Sequence, residues 1–98
     1  MKDNNQRGML TDKVQEIANK FLGEEITLKE LRLYPYIDYC LKNGGVVERA
    51  KLDNKEFEIL AKRQAEGHLK KSGKYITVTR NFYNYMQDVL AESYVLFE

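Results

Sequence analysis

The sequence predicts a mostly helical α+β fold: a winged helix-turn-helix with a two-stranded β-hairpin wing and an extra C-terminal helix. Three observations predict it. Apolar residues recur at helical spacing in separate segments, around residues 10–22, 57–64 and 82–90. The stretch "HLKKSGKYITVT" at 68–79 follows one of these segments directly and has the alternation and central turn of a hairpin. The resulting order is helix, very short strand, short helix, an insert, helix, hairpin and helix.

Each element has its own signals. Leu10, Val14, Ile17, Ala18, Phe21 and Leu22 make one helical face, with Thr11 as cap and Gly23 as stop. In "ITLKEL", Thr27 and Glu30 have capping-box spacing, and Ile26 and Leu31 have that of a hydrophobic staple. A short helix is expected from Leu28. Pro35 pushes Tyr34 out of the helical region, so that helix stops near Leu33 or Pro35 opens another through Leu41. "NGG" at 43–45 breaks it, and "VVERAKLD" is a connection or short extended piece.

Asp53 or Asn54 caps the next helix, which runs through Glu66 with Gly67 as its terminator. Phe57, Leu60, Ala61 and Gln64 share one side of it. Lys55, Ile59, Lys62 and Glu66 share the other, where the isoleucine is out of place. Leu69 lies in the first wing strand and "SGK" is the turn. Ile76 and Val78 face inward, Tyr75, Thr77 and Thr79 outward. Phe82, Tyr85, Met86, Val89 and Leu90 form the face of the last helix.

Ninety-eight residues, 43% hydrophobic and 32% charged, suit one globular domain over residues 10–98 after a flexible stretch, residues 1–9. No apolar run reaches the roughly 18 residues that span a bilayer, and "MKDNNQRG" lacks the apolar core of an export signal. With a single cysteine, Cys40, a cytoplasmic location is expected. No membrane partner is expected.

Net charge is +1, but it is unevenly spread. Residues 49–80 hold nine basic and four acidic side chains, a local +5, while residues 81–98 carry −3. Such a block suits a polyanion, although hairpin tips also carry lysines for solubility and edge protection. The candidate nucleic-acid contacts are Arg49, Lys51, Lys55, Lys62, Arg63, Lys70, Lys71, Lys74 and Arg80, with Tyr75 as a stacking surface. One histidine, His68, and one cysteine nearly thirty residues away point to no catalytic or metal site. Neither an enzyme nor a cofactor is expected.

At this point the segments "EEITLKEL", "KLDNKEFEILAKRQAEG" and "HLKKSGKYITVTRNF" resemble a family of small proteins known mainly as a domain of unknown function. In Gram-positive bacteria some members are carried on cassette-type mobile elements beside a replicative helicase. Ile26, Thr27, Leu28, Lys29 and Leu31 match the first part of its pattern, and Phe57, Leu60, Gly67 and Tyr75 match the rest, over roughly residues 24–80. The resemblance implies a winged helix that binds DNA, single-stranded by preference, during replication of the element, with a replicative helicase as a candidate partner. The chain departs from the pattern in its longer insert, "RLYPYIDYCLKNGGVVERA".

Two other readings remain open. A dimeric regulator would read duplex DNA with Asn54, Arg63 or Gln64 aimed at base edges. A protein adaptor would leave the basic block as a solvated face. The apolar tail Tyr94, Val95, Leu96 and Phe97 either packs on the core, joins a second copy or docks a partner.

Overall fold

Helix α1, Asp12–Leu22, begins where the Thr11 hydroxyl accepts the Val14 N–H and ends at Gly23, as its sequence signals require. The computed structural model describes residues 9–95, with side chains through Ser93. The first eight residues of the expected flexible stretch, and Leu96 and Phe97 of the apolar tail, lie outside the described residues. So do the side chains of Tyr94 and Val95. The described chain is mostly helical, with four α-helices and a two-stranded antiparallel sheet.

Helix α2, Leu28–Lys42, corrects the expectation of a break near Pro35. It is one helix of 15 residues with Pro35 in its interior. An interior proline costs about 3 kcal/mol through a lost N–H and a ring clash. Leu31, Leu33, Tyr34 and Ile37, on either side of it, are all buried. Each such side chain contributes about 1.5–3 kcal/mol on leaving water, so packing on both sides outweighs the proline. The three tyrosines near Pro35 therefore point three ways. Tyr34 enters the core, Tyr36 lies half-buried, and Tyr39 stands in solvent at 60% exposure.

The segment after α2, expected to be a connection or a short extended piece, holds a piece of sheet. The Gly45 carbonyl accepts the Ile76 N–H (2.8 Å), and the Val47 N–H donates to the Lys74 carbonyl (2.7 Å). Val46 thereby forms a bridge to Tyr75. A 3₁₀ turn, Arg49–Lys51, then leads to α3, Asn54–Ala65. Asp53 caps α3 in a full capping box with Glu56. The box expected at Thr27 forms only by half. The Thr27 hydroxyl accepts the Glu30 N–H, but the Glu30 carboxylate turns away to Arg63.

Strands β1, Leu69–Ser72, and β2, Tyr75–Val78, form the expected hairpin. Gly73 has a φ of 59° at the first of two turn positions, and Lys74 does not, the pattern of a type II′ turn. The bridge makes β2 central, with β1 on one side and the Val46 segment on the other. Side chains close both outer edges. The Gln64 amide oxygen accepts the Lys71 N–H (2.6 Å), and the Tyr36 hydroxyl accepts the Glu48 N–H (2.9 Å). Gln64, expected on the apolar side of its helix, is thus exposed and serves the wing. Ile59, the isoleucine on the charged side of its helix, packs half-buried on the core and is not exposed at a contact surface.

Helix α4, Arg80–Leu90, buries Phe82, Tyr85, Met86 and Val89 against α1 and α2. A π-helical turn, Ala91–Val95, continues it. Beside α4, the Phe21 ring stacks on Tyr85 at 4.8 Å, and His68 stacks on Phe82 at 5.4 Å.

Candidate nucleic-acid interface

The ten residues expected to meet nucleic acid do not share one surface. Arg63 is the plainest correction. It is 2% exposed and lies inside the molecule. Its Nε and Nη2 donate to the two oxygens of Glu30 at 2.7 and 2.9 Å, and Nη1 donates to Glu24 and Glu66, each at 2.8 Å. Burial works to lower the Arg63 pKa, but its hydrogen bonds to these carboxylates and the charge of Glu30 outweigh it, and the guanidinium is held charged above its ordinary range. Carboxylates take four of its five N–H donors, and burial keeps the guanidinium from meeting a phosphate at the surface. Nor is Arg63 available to read a base edge.

The rest of the α3 surface is largely neutralised. Lys62 pairs with Glu24 at 2.7 Å, and Lys55 lies 4.0 Å from Glu58. Hydrogen bonds from Lys62 and then Arg63 hold the Glu24 carboxyl below its ordinary value. Just before α3, Lys51 lies 3.6 Å from Glu48. Exposed pairs of this kind contribute only about 0–1 kcal/mol, so a phosphate could compete for these lysines, but each arrives with its own counter-charge.

Five cations remain: Arg49, Lys70, Lys71, Lys74 and Arg80. None of them pairs with a carboxylate among the described residues. Three of these converge. Arg49 comes from the 3₁₀ turn and Lys71 from the inner face of β1. Both sit over the Phe57 ring, 5.1 and 5.4 Å from its centroid. Lys74, at the hairpin turn, lines the same groove. The groove has a volume of about 560 Å³. Its floor is apolar, made by Val46, Val47 and Phe57, and Gly73 shapes the lip. Glu48 also lines it, with its carboxylate toward Lys51.

The outer face of the hairpin adjoins this groove at Lys74, whose ammonium lies 5.6 Å from the Tyr75 ring centroid. Tyr75 is 53% exposed, as its outward position in the alternation requires. Lys70 is exposed on the same face, two residues along the strand pairing. Arg80 is set apart. It lines a second groove with Leu41, Thr77, Val78, Tyr83 and Asn84, and the two grooves share no residue.

Sequence reasoning missed Phe57, Val46 and Val47 as site residues. Phe57 sits among the core positions of its helix, and nothing in its spacing tells a half-buried ring from a buried one. The valines fell in a segment expected to be a connection or a short extended piece, with nothing to mark it as a groove floor. Cys40 is fully buried beside the Tyr36 hydroxyl, and burial raises its thiol pKa. Among the described residues no helix is long and apolar enough to cross a membrane.

Compared with protein-family models, curated proteins and solved structures, the chain matches none.

Proposed function

We propose that this protein is a DNA-binding accessory protein of low sequence specificity, preferring single strands, which it holds at the groove between the hairpin and the 3₁₀ turn. One observation carries the reading. Arg49, Lys71 and Lys74 meet around an apolar floor, and none is neutralised by a described carboxylate. Cations so placed release counterions when phosphates replace them. Apolar and aromatic surface beside them suits unpaired bases.

The winged-helix reading has support of its own. A helix runs directly into a hairpin, and a strand segment pairs with the second hairpin strand, giving the order Val46 segment, β2, β1. In this reading α3 holds the recognition position and the hairpin is the wing. The paired lysines of α3 and the burial of Arg63 speak against duplex reading by that helix. A role in replicating a mobile element, beside a helicase, rests on the family resemblance alone.

Fluorescence anisotropy with a labelled oligonucleotide tests the proposal. Three phosphate contacts on a single strand give a log–log salt slope of about −2. Absence of binding by micromolar protein at low salt ends it.

A further inference from the structure

The groove's cations account for phosphates but not for its floor. A site that only neutralised a backbone would need no aromatic ring beside two valines. We propose that the groove is a nucleotide subsite in which one unstacked base lies against Phe57 while its flanking phosphates meet Arg49, Lys71 and Lys74. This rests on the nucleic-acid reading above and adds a residue and a ligand group to it.

Three observations support the subsite. The groove, about 560 Å³, falls within the range of small-ligand sites, about 300–1,000 Å³. Phe57 is half-buried, so its ring is held by the fold while part of it stays open to the groove. Of the two cations above the ring, Arg49 is exposed, while Lys71 is half-buried with its ammonium donating to the Gly73 carbonyl at 2.7 Å, and one stacked base outweighs an exposed cation–π contact such as that of Arg49. An entering base therefore displaces a cation from the ring, and that cation moves outward to the phosphate it would neutralise. Tyr75 lies past Lys74 on the outer hairpin face, where it meets a neighbouring base. A base paired in a duplex cannot reach the floor, so the subsite itself favours single strands.

The test compares oligothymidylate with an oligonucleotide of equal length and charge in which the central units are abasic, by anisotropy at one salt concentration. The expected result is an affinity about five- to a hundredfold weaker for the abasic strand, with an unchanged salt slope. Phe57→Leu keeps apolar volume and is expected to shrink that ratio. Tyr75→Ser alters an exposed residue and is expected to leave at least a fivefold ratio, on the order of one base's stacking. Equal affinity for the two strands overturns the subsite while leaving phosphate binding intact. So does a ratio unchanged in Phe57→Leu, or one abolished in Tyr75→Ser. Failure to bind either strand overturns both the subsite and the nucleic-acid reading.

Discussion

Arg63 on α3 grips Glu30 on α2 through two hydrogen bonds, 2.7 and 2.9 Å long, with both side chains buried. The same Glu30 oxygen that meets Arg63 Nε accepts a 2.6 Å bond from the Tyr34 hydroxyl, which lies 3.0 Å from that of Tyr85. Three helices are thereby tied through one carboxylate. Removing Arg63 leaves that carboxyl group short of donors in the interior. Arg63→Ala is expected to lose about 3–5 kcal/mol of stability in urea unfolding, the usual cost of breaking a buried ion pair. A loss within the range of a surface pair, about 1 kcal/mol, would refute the structural role assigned to Arg63.

The separation of cations into neutralised and free sets predicts unequal effects on binding. Neutralising Arg49, Lys71 and Lys74 together, each to Gln, should weaken oligonucleotide binding at least tenfold and flatten the salt slope by about 2. Neutralising Lys55 and Lys62 should change affinity less than threefold, because each already has a glutamate beside it. Anisotropy titrations at several salt concentrations check both. Equal losses from the two sets would put the interface on α3 instead.

Alkaline pH should unfold the protein early. Burial first, and the nearby Glu30 carboxylate, raise the pKa of Tyr34 well above its ordinary 10.0, and burial raises that of Tyr85. Below pH 10 both phenols are neutral, folded or unfolded. Above it the unfolded chain releases protons that the folded one keeps, so stability falls as pH rises. The slope approaches about 1.4 kcal/mol per pH unit for each group. Urea melts between pH 9 and pH 11 measure it. A flat profile there would mean that the two hydroxyls are not buried as described.

Gly44 and Gly45 are adjacent and both have positive φ, 86° and 74°, yet their substitution should differ. A Cβ on Gly44 meets nothing within 4 Å, whereas on Gly45 it lies 3.1 Å from the Ile76 carbonyl oxygen. Each alanine pays for left-handed backbone, about 1–2 kcal/mol. Gly45→Ala must in addition push apart the contact that seats the Val46 bridge. It is expected to be the less stable of the two by urea unfolding and to weaken oligonucleotide binding, since Val46 and Val47 floor the groove. Equal stability and equal affinity would argue against the bridge.

Cys40 should behave as a core residue. It is fully buried, and burial raises its thiol pKa. Labelling by an aromatic disulfide reagent at pH 8 is expected to be slow in the native protein and immediate in urea. Fast native labelling would show that α2 opens around Pro35.

The sequence by itself determined the local elements. Thr11 and Asp53 cap helices because their side chains reach a backbone N–H three residues on, whereas Thr79, expected in the wing strand, proves to be the cap of α4. Gly73 sets the wing turn, and the alternation around Tyr75 sets which ring faces water. Each of these depends on atoms within a few residues. Only the tertiary structure decided the rest. It carried α2 through Pro35, turned the Val46 segment into sheet, sent Arg63 inward to Glu30 across 33 residues of chain, and brought Arg49 and Lys71 to Phe57. A charge has no preferred direction in a sequence. Whether it meets solvent, a ring or a buried carboxylate depends on which distant groups packing brings beside it, and on the cost of leaving those groups unpaired.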